Sequence, residues 1–217
     1  MSGGGDARRV VLATTNRHKA REIGAILASY GVEVEVPASL PPVEEDGATF
    51  RENARKKAVS AARATGRPAL ADDSGLEVEA LDGEPGVRSA RYAGPGATDE
   101  QNVARLLEEL RRRGLVDPKA AFVCYATLAG ADGEVLAEAH GRVEGVVRGP
   151  PRGAHGFGYD PVFHWFGDVT RKDGVRFAEL LPSEKDAVSH RGLAFRSLGR
   201  AISDLPPDAF DRARRAR

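Results

Sequence analysis

Hydrophobic and polar positions along the chain follow two rhythms, one of strands and one of helices. Unbroken apolar runs at Val10-Val11-Leu12-Ala13 and Phe122-Val123-Cys124-Tyr125-Ala126 predict strands buried on both faces. Val32 to Val36 and the Ala69-Leu70-Ala71 stretch after Pro68 predict two more. Stripes at helical spacing are formed by Ile23, Ile26 and Leu27 ahead of Gly31, and by Val103, Leu106, Leu107 and Leu110 ahead of Gly114. Thr49 with Glu52 and Thr98 with Gln101 have the form of capping boxes, in which hydroxyl and carboxylate or amide satisfy orphan backbone N–H groups reciprocally. Helices are therefore predicted from both points, the first running to Gly66.

Beyond Gly75, Leu76 to Leu81 alternates and reads as a half-exposed strand or an irregular apolar segment. Asp82 to Gly86 is a turn cluster and Val87 to Gly96 a loop. Ala120 to Ala129, an Asp132-Gly133 turn and Glu134 to His140 predict an antiparallel hairpin, with Val143 to Val147 as a further strand. Val162-Phe163 returns to a strand, Gly167 to Gly174 reads as exposed, and Ser183 to Asp186 begins a helical turn. Ser189 to Gly192 interrupts before a final helix from Leu193 to Ile202. Antiparallel pairing beside a βαβ-like first third predicts an α/β fold with a mixed sheet and flanking helices, and argues against a doubly wound parallel one.

Composition narrows the classes. A chain of 217 residues, 41% hydrophobic and 29% charged, suits one large domain or two packed lobes. The expected division is a tail over 1–7, a single two-lobed domain over 8–205 and a charged tail over 206–217. Basic and acidic residues number 32 each, so the net charge of +0 disfavours a nucleic acid partner. One cysteine, Cys124, excludes an intrachain disulfide framework. No apolar leader core and no apolar span of membrane length is present in the sequence, so no membrane partner is expected and the location is read as cytoplasmic.

Candidate chemistry centres on Ala71-Asp72-Asp73-Ser74-Gly75. In extended backbone the two acids point to opposite faces and should have different jobs. Carboxylates at a strand end can hold a hard cation, whereas Asp, Ser and Gly together can equally form a tight turn. Thr14, Thr15, Asn16 and Lys19 lie at the start of the first helix, where the dipole and free N–H groups favour phosphate. An ordinary capped helix with a solvated lysine explains the same pattern. Glu44, Glu45 and Asp46 read as a solvated acidic loop, from which Glu45 can reach the same cleft as Asp73. Arg111-Arg112-Arg113 sits against a negative helix end and needs no nucleic acid to explain it.

Thr14 to Lys19, Glu45, Lys57, Asp72 to Gly75, Phe157 to Asp160, Lys185 and His190-Arg191 occur in an order and spacing that resembles the inosine triphosphate pyrophosphatase family, also called XTP/dITP diphosphatases. The resemblance spans roughly Val10 to Ile202. It implies an elongated α/β protein with two lobes around a central nucleotide cleft, assembled as a homodimer. It also implies Mg²⁺-dependent hydrolysis of ITP, dITP and XTP to the monophosphate and pyrophosphate. By similarity Glu45 and Asp73 would bind Mg²⁺, with Asp73 also the base for the attacking water. Thr14, Thr15, Asn16, Arg17, His18 and Lys19 would hold the triphosphate, with Lys57 beside them. Ser74, Phe157, Gly158, Tyr159, Asp160, Lys185, His190 and Arg191 would line the nucleotide site. Thr15 departs from the family pattern, standing where a smaller residue is common.

Those roles make chemical sense. Attack at the α-phosphorus needs positive charge on the transferring group and on the leaving pyrophosphate. Phe157 offers a flat face to a purine, and the donors of His190 and Arg191 suit a 6-oxo group. For His190 a helix-capping or surface role, and for Lys185 a solvated first-turn position, are the plain alternatives. A nucleotide sensor that binds without turnover is the rival function; an extra acid pair in an anion site counts against it unless a metal is present.

Overall fold

The computed structural model describes residues 8–167, 173–206 and 209–210. Residues 1–7, most of the 206–217 tail and the centre of the Gly167 to Gly174 stretch lie outside the described residues. The first third is a βαβ arrangement: β1 (Arg8–Leu12), α1 (Arg17–Ala28), β2 (Val32–Glu35), α2 (Phe50–Thr65) and β3 (Ala69–Val78). Both β2 and β3 pair with β1 in parallel. There follow α3 (Asp99–Arg112), β4 (Lys119–Ala129), β5 (Val135–Val147), β6 (Phe163–Trp165), β7 (Val175–Arg176), α4 (Pro182–Val188) and α5 (His190–Asp204). The described strands form one sheet in the order β2-β1-β3-β4-β5-β6-β7. Neighbours β5, β6 and β7 run antiparallel, so the sheet is mixed, as antiparallel pairing beside a βαβ-like first third predicts.

Local chemistry sets the boundaries. Thr49 accepts from the Glu52 amide while the Glu52 carboxylate accepts from the Thr49 amide, which fixes the start of α2; Gly66 closes it at φ 63°. Thr98 and Gln101 do the same for α3. At the far end of α3, Arg111 pairs with Glu108, and Arg112 and Arg113 both pair with Glu109. The basic triplet is thus taken up by its own helix.

Four elements differ from their sequence patterns. β3 does not stop at its acids but runs on through Ser74 and Gly75 to Val78, because an interior strand paired on both sides outweighs local turn preference. Gly75 is what permits it. A Cβ there would run into Ser89 Oγ and stand 2.7 Å from the Gly86 carbonyl, on the 3₁₀ segment Gly86–Arg91 that packs against the strand at this point. Ser89 Oγ instead accepts the Leu76 amide at 2.9 Å and donates to Gly86 at 2.6 Å. That segment occupies much of the stretch expected as loop. Val143 to Val147 is the second half of the long β5, not a separate strand. The turn joining β4 to β5 is too short for anything but antiparallel pairing. Finally, α5 begins at His190, since extended Ser189 alone breaks it from α4.

The chain divides into two compact units. One comprises the described parts of Met1–Asp73, Tyr125–His140 and Arg191–Arg217, the other those of Ser74–Cys124 and Gly141–His190. The core of the first packs Ala58, Ala61 and Ala62 of α2 against Val11, Ala69, Ala71 and Ala129, small side chains that let the helix lie close on the sheet. The second packs larger groups, among them Phe122, Phe163 and Phe177 with ring centroids 4.6 to 5.8 Å apart. Burying each such ring contributes about 1.5–3 kcal/mol. Among the described residues no helix is long and apolar enough to cross a membrane.

Candidate functional site

Strand geometry sends Asp72 and Asp73 to opposite faces of β3, and each meets its own lysine in the first unit. Lys57, two turns into α2, donates to Asp73 Oδ1 at 3.0 Å and lies 3.4 Å from Glu45 Oε1. Glu45 and Asp73 thus converge on a single ammonium group. Asp73 is 6% exposed. Burial pushes its carboxyl above the usual range, against the pull of Lys57 and Lys19, and Glu45 adds to the rise. Burial acts the other way on Lys57, yet Asp73, Asp72 and Glu45 together raise its pKa.

On the other face, Asp72 Oδ2 takes Lys19 Nζ at 3.0 Å and stands 3.5 Å from Arg191 Nη2; Arg191 Nη1 donates to Glu22 at 2.6 Å. Arg191 and Asp72 are both 2% exposed. Burial alone would push the Asp72 carboxyl up, but Lys19, Arg191 and Lys57 overcome it and hold the group well below the carboxylate range. Lys19 reaches this position from the first turn of α1, whose cap is Asn16: its Oδ1 accepts the amides of His18 at 2.9 Å and Lys19 at 3.2 Å. Thr14 Oγ1 in turn accepts the Asn16 amide at 3.1 Å. The helix is therefore capped by its own side chain and two amides counted on for phosphate are occupied, while Lys19 is paired and mostly buried. Thr15, Arg17 and His18 are exposed beside it.

The second unit holds another group of the residues named from the sequence. Lys185 is 3% exposed, donates to Asp160 Oδ2 at 2.5 Å and places its ammonium 4.6 Å from the centre of the Phe157 ring. Asp160 also accepts the Phe157 amide at 2.9 Å, and Asp99 at the start of α3 accepts the Gly158 amide at 2.7 Å. Gly156 adopts φ 76° with its Cα against the Asp160 carboxylate, where a side chain would collide. Phe157 is consequently a half-buried ring on a tethered loop. Tyr159 turns inward, its ring in the core and its hydroxyl donating to the Ser89 carbonyl at 2.9 Å. His190 is buried and stacks on Phe122, centroids 4.6 Å apart and planes 9° from parallel. Neither a surface role for His190 nor a solvated one for Lys185 survives. Ser74 is half-buried on β3. A groove of about 460 Å³ in this unit, lined by Glu77, Lys119, Arg142, Glu144 and Phe166, contains none of these residues.

Sequence patterns missed three side chains that hold the others. Asn53 donates to Asp73 Oδ2 at 3.1 Å, Glu22 secures Arg191, and Asp99 secures Gly158. Asn53 and Glu22 lie on helices among other polar residues, and only the fold shows which way they face.

Fold and site together define an α/β protein that gathers carboxylates and ammonium groups on an interior strand of a mixed sheet. A model of the Ham1 family matches residues 10–201. A dITP/XTP pyrophosphatase of Syntrophobacter fumaroxidans is 50% identical over 200 residues, covering 90% of this chain and 82% of that one. One from Geobacter sulfurreducens is 50% identical over 189 residues, covering 86% and 92%. A HAM1 protein structure from Coxiella burnetii aligns with a TM-score of 0.79 at 40% identity, covering 91% of this chain and 100% of that one. The chain belongs to the Ham1 family, and the resemblance drawn from its motifs holds.

Proposed function

We propose that the protein hydrolyses dITP, XTP and ITP to the nucleoside monophosphate and pyrophosphate, removing deaminated purines from the nucleotide pool. The observation that carries it is the convergence of Glu45 and Asp73 on the Lys57 ammonium. Two acids and a lysine so placed suit a polyanion with its counter-ion, and the relatives' names supply the substrate class.

Mg²⁺ fits the donor set. Among the described residues no group of three or more His, Cys, Asp or Glu side chains is arranged to hold a metal ion. Mg²⁺ is commonly held by one or two carboxylates, with waters and substrate phosphates completing its shell, and Glu45 and Asp73 meet that need with oxygen donors alone. When bound it would neutralise charge gathering on the phosphate oxygens. Asp73, its pKa raised by burial, accepts the proton of the water that attacks the α-phosphorus. Lys57 and Lys19 offset the charge of the phosphates, with Thr14 to His18 beside them. Phe157, braced by Lys185 and Asp160, takes the purine face. His190, fixed by Phe122, and Arg191, fixed by Glu22 and Asp72, are the donors for the 6-oxo group, which a 6-amino purine would leave unmatched. The same proposal has the protein working as a homodimer in the cytoplasm.

A panel of purified nucleotides with Mg²⁺, read as pyrophosphate and monophosphate produced, tests the reading. Turnover of dITP and XTP well above that of dATP and dGTP supports it; binding without turnover turns the protein into a sensor. Lys19→Ala is expected to raise KM for dITP by about 10–100-fold, the worth of one bond to a charged group, in steady-state kinetics. An unchanged KM removes Lys19 from the phosphate site.

A further inference from the structure

Asn53 is fully buried one turn into α2, and its side-chain amide spans two parts of the site. Oδ1 accepts the Gly47 amide at 2.8 Å and Nδ2 donates to Asp73 Oδ2 at 3.1 Å. A backbone N–H only donates and an ionised carboxylate only accepts, so these partners fix the amide's orientation. Gly47 stands two residues from Glu45, on the loop leading into α2. The rest of that loop is held by Glu52, which accepts the Ala48 amide at 2.7 Å and the Thr49 amide at 3.2 Å.

The approach of Gly47 to Asn53 leaves no room for a side chain. A Cβ at Gly47 would lie 2.6 Å from Asn53 Oδ1 and 2.9 Å from Glu52 Cβ. Gly47 is not among the glycines at positive φ, so closeness rather than backbone conformation calls for glycine here. Asp73 meanwhile has Lys57 on Oδ1 and Asn53 on Oδ2, so both oxygens are oriented by α2.

We propose that Asn53 is a positioning residue that sets the separation of Glu45 and Asp73, tying the Glu45 loop through Gly47 to the carboxylate on β3. The inference rests on the proposed reading, in which those two acids share one divalent cation. A neutral amide suits the place because it can accept from the loop and donate to the strand at once. Aspartate can do only the first, and would set a second charge against Asp73. Outer groups that orient metal ligands typically account for about 10–100-fold in metal affinity or activity.

The test compares the full-length protein with Asn53→Ala and Asn53→Asp. Mn²⁺ binding is read by electron paramagnetic resonance without nucleotide, Gly47 amide exchange by NMR, and dITP turnover across a range of Mg²⁺. In Asn53→Ala the Gly47 amide should lose protection and Mn²⁺ should bind about 10–100-fold more weakly. In Asn53→Asp the Gly47 amide should stay protected while Mn²⁺ affinity and kcat fall as far, with KM for dITP at saturating Mg²⁺ within about threefold. Mn²⁺ affinity and kcat within twofold of the parent in a folded Asn53→Asp protein overturn the proposal, as does an Asn53→Ala protein whose Gly47 amide stays protected. Failure of the parent protein itself to hydrolyse dITP is a different result and strikes the proposed function.

Discussion

Asparagine in place of Asp73 is expected to lower turnover of dITP by about 10²–10⁴-fold, the range for loss of a general base, with the fold intact. Asp73 lies 6% exposed between Lys57 and Asn53, and burial raises its carboxyl pKa despite Lys57 and Lys19. A folded state that holds the proton more tightly than the unfolded chain gains nothing from the charge at neutral pH. Removing the charge therefore costs little stability. The substituted amide keeps an oxygen for Lys57, and relief of the buried charge offsets the donor left facing Asn53. Stopped-time pyrophosphate release beside a thermal melt separates the two effects. Near-parental turnover in a folded Asp73→Asn protein would take Asp73 out of the chemistry.

Asp72 should behave in the opposite way. It is the buried counter-charge of Lys19 and Arg191, and its removal takes a carboxylate from both cations at once. Breaking a buried pair by deleting one partner typically costs about 3–5 kcal/mol, so Asp72→Ala should lower the unfolding free energy by that much at pH 7, read by denaturant titration. The pH dependence has a definite sign. The folded-state carboxyl is held well below its unfolded value of about 3.9, so its contribution is complete above that pH. Below it, the unfolded chain takes up the proton first and the advantage drains away. The stability gap between parent and variant should therefore narrow as the pH falls below about 4. A gap that does not change with pH would show that the Asp72 charge is not what stabilises the fold.

The paired effects follow from the alternation of side chains along β3, which is visible in the sequence, as are the mixed sheet and the capping boxes at Thr49 and Thr98. What the residues alone do not convey is how much pairing outweighs local preference. Asp, Ser and Gly favour a turn, yet β3 passes through them because β1 and β4 flank it and Gly75 slips beneath Ser89. The site is legible in the same measure. Motif spacing picks out Glu45, Lys57 and Asp73, which do meet, and Phe157, Asp160 and Lys185, which also meet. It does not show that Asn16 occupies two amides of α1, that Tyr159 faces the core, or that Arg191 is held by two carboxylates. The Asn16 cap is local, reaching amides two and three residues on, but the other two outcomes depend on contacts between segments far apart in the chain, which no local pattern encodes. The supporting side chains Asn53, Glu22 and Asp99 escape notice for the same reason.

The most direct test is a limited hydrolysis of dITP in ¹⁸O-water with Mg²⁺, with products resolved by mass spectrometry. Attack at the α-phosphorus puts one labelled oxygen in the monophosphate, leaves the pyrophosphate unlabelled and yields the two in equal amounts. Label in pyrophosphate or free phosphate, or release of the nucleoside diphosphate, would contradict the assigned chemistry.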